Sequence, residues 1–313
     1  MPGRWFHTFK HRRGRYPAVV RWNKITLVGV GLLGGSLGLA IKQRHLARRV
    51  EGYVRREASV AESRGRGAVD RATLDLASAV SGADLVVLCT PLGQMRPLVE
   101  RMLPALKRGA IVTDVGSTKA GVVRQLERLV ASAGAHFVGS HPMAGGEKTG
   151  VAAARADLFE RAICIVTPTR RTHPAARRCV EALWRGVGGR VLRLSPAQHD
   201  RLVSRSSHLP HLLAATLVTC VLDARRSPLQ AAVCANGFRD TTRIASGSPE
   251  MWRDIALANR VFVGAALSQF RRRLDRVQKL LRAGDAEALA AFFRTAKSRR
   301  DHWVARWALP DAH

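Results

Sequence analysis

Residues 140–150 read Ser-His-Pro-Met-Ala-Gly-Gly-Glu-Lys-Thr-Gly. The apolar pair Phe137-Val138 leads into His141, and Pro142 and a glycine-rich turn follow. Such a pattern ends a β-strand and presents an imidazole at its carboxyl edge, the edge where open parallel sheets bind ligands. The run Ala110-Ile111-Val112-Thr113-Asp114-Val115 leads in the same way into Gly116-Ser117-Thr118-Lys119. A histidine titrates near neutrality and can take a proton from an alcohol. With a serine at a second strand end, the pair reads as an oxidoreductase site.

A second constellation would serve the same chemistry. Gly29-Val30-Gly31-Leu32-Leu33-Gly34 is G-x-G-x-x-G, placed directly after an apolar strand and at the opening of a helix, the context in which the motif binds a dinucleotide. Gly29 permits the tight turn, Gly31 lets the backbone approach a pyrophosphate, and Gly34 lets helix and strand pack closely. The helix N-terminus, from Leu32 and Leu33 onward, supplies amide donors and a partial positive charge. Thr90 and Pro91, which close the apolar run Ala83–Cys89, belong with this cofactor-binding set. An NAD enzyme places an acid at the end of the second strand to hold the ribose hydroxyls. Here that position is Val54, followed by Arg55 and Arg56. An arginine can fork onto a 2′-phosphate, which favours NADP over NAD; the alternative is that both arginines lie on a solvated surface.

These residues need a scaffold, and the chain alternates accordingly. Strands are expected at Ile25–Val28, Arg49–Val54, Ala83–Cys89, Ala110–Val115 and Ala135–Gly139. Helices are expected between them, at Gly34–Ile41 and Gly121–Ala131 among others. The alternation predicts a doubly wound parallel sheet, with Ile163–Val166 and Arg190–Leu194 extending it at an edge. After Ser195 the character changes. Leu212, Leu213, Thr216, Leu217, Cys220 and Val221 recur at helical spacing. From Glu250 to Arg282 there is no proline, and only Gly264 interrupts. Asp285 is placed to cap a last helix carrying Leu289, Phe292 and Phe293. The reading is therefore a basic arm over 1–23, a dinucleotide-binding domain over 24–194, and an all-helical substrate and dimerisation domain over 195–313. Its apolar helices would bury more surface against a second subunit.

Composition narrows the partners. The 313 residues include 52 Lys and Arg against 23 Asp and Glu, a formal net charge of +29. The cations are spread along the whole length, and only 5% of residues are aromatic, so stacking platforms for single strands are scarce. An anionic small molecule suits this charge better than nucleic acid as the main partner. Cys89, Cys164, Cys179, Cys220 and Cys234 form no metal-binding spacing, and their odd number fits a reducing cytoplasm. The longest apolar run, 212–222, is too short to span a bilayer. The first 24 residues carry seven cations and no acid, with no signal-peptide core behind them.

With these motifs assembled, the chain resembles the prephenate/arogenate dehydrogenase family of tyrosine biosynthesis over about residues 24 to 300. The resemblance rests on Gly29–Ser36, Asp114–Lys119, Ser140–Gly150, Ser207-His208-Leu209-Pro210-His211 and Gly237-Phe238-Arg239-Asp240-Thr241-Thr242-Arg243-Ile244-Ala245. Met251-Trp252-Arg253-Asp254-Ile255, followed by Asn259, completes it. It implies an oxidative decarboxylation with hydride transfer to NAD(P)+: prephenate gives 4-hydroxyphenylpyruvate, or arogenate gives tyrosine. By resemblance His141 is the base, and Ser117 orients the hydroxyl and the imidazole, or else caps the helix behind it. Arg243 receives substrate carboxylates, and His208, Asp240 and Gly237 line the substrate side, with His211 less firmly placed. Asp240 could equally position Arg243, Trp252 reads as packing, and Glu147 and Lys148 as a gate or as solvated charges. No metal is required. The enzyme is expected to be a monofunctional homodimer, since no mutase-like segment precedes residue 24 and no room remains after Leu309. The rival from another class is a nucleotide-binding regulatory protein without catalysis.

Overall fold

The computed structural model describes residues 22–146, 148–223 and 228–307. The arm expected over 1–23 therefore lies almost wholly outside the described residues, as do Glu147 and Leu309. The first strand already begins at Trp22, two residues before the expected boundary.

The chain runs β1 (Trp22–Val28), α1 (Leu32–Gln43), β2 (Ala47–Tyr53), α2 (Glu57–Gly65), β3 (Arg71–Thr73), α3 (Leu76–Val80), β4 (Leu85–Leu88) and α4 (Leu92–Met102). It continues through β5 (Ile111–Asp114), α5 (Ala120–Ser132), β6 (His136–Pro142), β7 (Ile163–Thr167), α6 (Pro174–Gly186) and β8 (Arg190–Arg193). The eight strands form one sheet in the order β3-β2-β1-β4-β5-β6-β7-β8. All neighbours pair in parallel except β6 and β7, which are antiparallel. Strand order turns outward from β1 in both directions, the switch point at which such sheets bind ligands.

The central strands are β-branched and leucine-rich because both their faces are covered. One apolar layer packs Leu27, Val50 and Leu85 against Leu37, Ile41, Phe159 and Trp184. The other packs Val28, Val86 and Val112 against Leu76, Met95, Val99 and Leu126. The short edge strand β3 was not anticipated: three residues, of which only Ala72 is buried, carry no periodic signal. The expected end of β6 at Gly139 is also corrected. The strand runs on to Pro142, and His141 pairs with Ile165 of the antiparallel neighbour.

The remainder is helical: α7 (Pro196–Val203), α8 (Leu209–Val221), α9 (Pro228–Ala232), α10 (Asn236–Thr242), α11 (Pro249–Ala258), α12 (Arg260–Ala283) and α13 (Ala286–Trp307). Ser195 and Gln198 close a capping box at the start of α7. Asp285 accepts a bond from the Ala288 amide at 2.9 Å, as expected of an N-cap. The proline-free stretch from Glu250 is broken at Asn259, between α11 and α12, where the backbone leaves helical geometry. Few residues here are fully buried, whereas Val261, Leu274, Leu281, Phe293 and Trp303 stand more than half exposed. Apolar surface of this extent marks an interaction face. No described helix is long and apolar enough to cross a membrane.

Candidate active site

Two lines of buried polar contacts meet at Asp200, in the second turn of α7. The first runs to the sheet. Asp200 Oδ1 lies 2.8 Å from His199 Nδ1, and His199 Nε2 lies 2.9 Å from His141 Nδ1. A carboxylate only accepts, so His199 Nδ1 carries a proton and its Nε2 accepts. His141 Nδ1 must then donate, which leaves the lone pair on His141 Nε2. That nitrogen has no partner among the described residues, and His141 keeps 8% exposure.

The electrostatics hold this state. His141 titrates well below the ordinary histidine value, because burial disfavours the charged ring and His199, Lys119 and His208 add repulsion. Burial likewise lowers His199, against the pull of Asp200. Burial alone would raise Asp200, but bonds from His199 and from the Lys119 and Ala120 amides outweigh it and hold the carboxyl low. The result is an ionised carboxylate behind two neutral imidazoles, an arrangement suited to proton abstraction.

The same carboxylate fixes an element. Its two oxygens accept the Lys119 amide at 2.7 Å and the Ala120 amide at 2.9 Å. Helix α5 has no side-chain cap of its own, so Asp200 satisfies its first donors from another part of the chain. Ser117 therefore does not cap this helix; it sits half-buried in the loop before it. Beneath that loop Lys119 and Asp114 form a fully buried ion pair. Lys119 Nζ also donates to the Ser140 carbonyl at 2.8 Å, and Asp114 accepts from the Gly116 and Ser140 amides at 2.9 and 3.1 Å. These contacts tie the ends of β5 and β6 together and set the spacing of Ser117 and His141.

The second line runs into the helical part. Asn259 Nδ2 donates to the Asp200 carbonyl at 2.9 Å and lies 3.1 Å from His208 Nδ1. His208 is buried at the start of α8, and burial pushes its imidazole down to about 4. Its Nε2 is buried with no hydrogen-bond partner among the described residues. The Trp252 ring stacks on His211 at a centroid distance of 3.5 Å and meets His208 edge-on at 6.1 Å. Trp252 is thus packing for this histidine pair, as its sequence context suggested.

The glycine loop suits a dinucleotide. Gly29 has φ +98°, a backbone state that side chains resist. A Cβ on Gly34 would fall 2.0 Å from the Gly29 carbonyl, whereas one on Gly31 would meet nothing within 4 Å. Packing therefore explains Gly34 but not Gly31, whose open side is where a pyrophosphate would approach. Helix α1 begins here with no side-chain cap, so the amides of its first turn, Leu32 and Leu33 among them, face outward for an anion. Thr90 follows β4 beside Gly29, and its hydroxyl is buried without a partner among the described residues; Pro91 is exposed and starts α4. Val54 is buried after β2, and Arg55 and Arg56 are exposed at the start of α2.

Gly237 and Asp240 on α10, and Arg243 on the turn after it, are exposed, in elements packed on α8, the helix that His208 opens. Asp240 approaches Arg239 at 3.7 Å. Lys148 is exposed. No group of three or more metal-ligating side chains occurs among the described residues. His199, Asp200 and the bonding role of Asn259 escaped the sequence reading. Adjacent His199-Asp200 just inside a capping box was a visible oddity. The partners, however, lie 58 and 80 positions away, beyond the reach of local pattern.

Comparison with known proteins finds relatives over both parts of the chain. Residues 37–193 match the family model described as prephenate dehydrogenase, nucleotide-binding domain, and residues 195–295 match prephenate dehydrogenase, dimerization domain. The chain is 38% identical to the prephenate dehydrogenase of Bacillus subtilis over 279 residues, 88% of this chain and 75% of that one. It is 33% identical to the cyclohexadienyl dehydrogenase of Zymomonas mobilis over 280 residues, 88% of this chain and 94% of that one. Among solved structures, the Aquifex aeolicus prephenate dehydrogenase in complex with hydroxyphenyl propionate and NAD+ superposes with a TM-score of 0.84. The two are 32% identical, over 90% of this chain and 98% of that one.

Proposed function

The chain belongs to the prephenate dehydrogenase family, and on that premise we propose that it oxidatively decarboxylates prephenate to 4-hydroxyphenylpyruvate. The observation that carries this reading is the Asp200–His199–His141 line, which leaves one unprotonated ring nitrogen, His141 Nε2, at the carboxyl end of the sheet. The Gly29–Gly34 loop and the first-turn amides of α1 would hold the nicotinamide cofactor, which would supply the acceptor for the hydride of the ring carbon bearing the hydroxyl. His141 Nε2 takes the hydroxyl proton as that carbon becomes carbonyl-like. The bond to the ring carboxylate then breaks, its electron pair completes the aromatic ring, carbon dioxide leaves, and the ring oxygen takes back the proton held by His141. Ser117, on the loop tied to β6 through Lys119 and Asp114, orients the hydroxyl. His208 and Arg243 receive the carboxylate-bearing side of the substrate, with Asp240 and Gly237 as neighbours of Arg243. The buried Asp200 stabilises the positive charge that develops on the imidazole pair.

Two finer assignments belong to the same proposal. Val54 in place of an acid, with two exposed arginines after it, supports NADP+ as the preferred cofactor. Neither Arg55 nor Arg56 has an ion-pair partner among the described residues, so both guanidiniums are available to a 2′-phosphate. The dimerisation-domain match and the exposed apolar helices support a homodimer. Five unpaired thiols support a cytoplasmic setting.

The test is direct. Purified protein is mixed with prephenate or arogenate and with NAD+ or NADP+, in every combination, and the absorbance of reduced cofactor is followed. Reduction with prephenate is expected, faster with NADP+; no reduction with either substrate would overturn the reading. The Arg55→Asp variant is expected to shift preference toward NAD+, and an unchanged ratio of kcat/KM values would return both arginines to the solvated surface.

A further inference from the structure

Asn259 stands at the break between α11 and α12, and its amide has two neighbours. Asp200 O is a carbonyl and can only accept, so the Asn259 atom 2.9 Å from it must be the nitrogen. That same nitrogen lies 3.1 Å from His208 Nδ1. An amide NH₂ only donates, so His208 Nδ1 must accept and cannot carry a proton. The ring proton is thereby placed on Nε2. The backbone settles what a side-chain flip would otherwise leave open.

Nε2 is the buried atom with no partner. The Ser117 backbone acts on this ring in the sense that favours a proton. A buried, unsatisfied N–H is costly, and a donor left without a partner among the described residues calls for a ligand acceptor. We propose that Asn259 is a positioning residue that locks His208 as a neutral Nε2–H donor, so that the site selects a substrate bearing a keto or carboxylate oxygen at that point. This rests on the reading of His208 as a substrate-side residue. It adds the group that decides which face of hydrogen bonding the histidine shows.

The groups around His208 are compatible with that lock. Asp200 and His199 face it from α7, His211 from its own helix, and the edge of Trp252 from α11. Asp200 favours a charged ring, while burial, His199 and His211 oppose it. Replacing the amide by a carboxylate inverts the logic. With Asn259→Asp, His208 Nδ1 would donate, the ring pKa would rise, and above that pKa Nε2 would present a lone pair instead of a proton.

The experiment has two readouts on the intact enzyme. Two-bond ¹H–¹⁵N correlation spectra of histidine-labelled protein, with His208→Gln to assign the signal, report the tautomer without turnover. The Nε2–H form is expected for the parent at pH 7.5, and an Nδ1–H form or an imidazolium would overturn the proposal. In kinetics, the prephenate KM of Asn259→Asp is expected to rise about tenfold or more between pH 6 and pH 8.5 relative to the parent, with kcat changed much less. In a His208→Gln background, where the amide donor no longer depends on residue 259, that pH-dependent rise should vanish. A rise that persists there, or a KM that follows the parent while the tautomer switches, would overturn the proposal. Asn259→Ala, which adds no charge, guards against misfolding: it should raise KM with kcat largely kept, and equal losses in both would count against the assignment. Absence of any parent activity on prephenate would sink the functional reading while leaving the tautomer measurement intact.

Discussion

In the proposed mechanism His141 acts through Nε2, a nitrogen that no described protein group occupies. Two histidines and a carboxylate in series give one tautomer, because the carboxylate can only accept and each ring must pass the role along. His141→Asn removes the acceptor while keeping an amide near the position of Nδ1. Turnover is expected to fall about 10²–10⁴-fold with cofactor affinity retained, measured by steady-state kinetics beside a cofactor titration. Unchanged turnover would remove His141 from its role. The pH profile offers a second check. His141 titrates well below 6.5 because burial and neighbouring positive charge disfavour its charged form. The base therefore stays unprotonated as pH falls, and the acid limb of kcat/KM is expected below pH 6.5; a limb at 7 would show a solvated imidazole. Its place at a strand end before a glycine-rich turn made this histidine visible in the sequence. Its partner His199 was not visible, because hydrogen bonding across 58 positions has no local signature.

Elements carry these residues only as well as their ends are held. Helix α5 borrows its cap from α7, and the ion pair of Lys119 and Asp114 sits under the loop between β5 and α5. The cofactor loop shows how two glycines in one motif answer to different forces. Gly34→Ala would drive a Cβ to 2.0 Å from the Gly29 carbonyl, and backbone cannot swing aside as a side chain can. It is expected to lose about 1–3 kcal/mol of stability together with cofactor affinity. Gly31→Ala meets open space, so thermal unfolding should be nearly unchanged while the cofactor Kd rises. Equal melting temperatures for the two variants, or equal cofactor affinity of Gly31→Ala and the parent, would contradict this division. The motif was legible from its spacing together with the apolar strand before it and the helix it opens. The break at Asn259 was not, since neither proline nor glycine marks it; buried bonds to Asp200 and His208 hold the residue there instead.

At the scale of the whole molecule, neutral buried histidines make stability depend on pH. His141, His199 and His208 all titrate lower in the folded chain than in the unfolded one, chiefly through burial. Below pH 6.5 the unfolded chain binds protons that the folded chain refuses, so folding weakens as pH falls. For His208, lowered from 6.5 to about 4, the loss by pH 5 is on the order of 2 kcal/mol. Thermal unfolding is expected to show a clear drop in Tm between pH 7.5 and pH 5, reduced in His208→Asn; a flat profile would mean these rings are solvated or already charged. The same scale decides assembly. The sheet buries its core on both faces within one chain, whereas the helices beyond Ser195 leave large apolar side chains in the open.

From the linear chain alone came the alternation that builds the sheet, the glycine loop, the histidine at a strand end and the family. All of these are written in periodicity, turn chemistry and short motifs, signals that act over a few residues. Folding alone decided that β7 runs antiparallel to β6, that Asp200 governs both a helix end and two histidines, and that Asn259 sets a proton on His208. Those outcomes depend on hydrogen-bond donors and acceptors brought together over tens of positions, in a dry interior where each must find its complement.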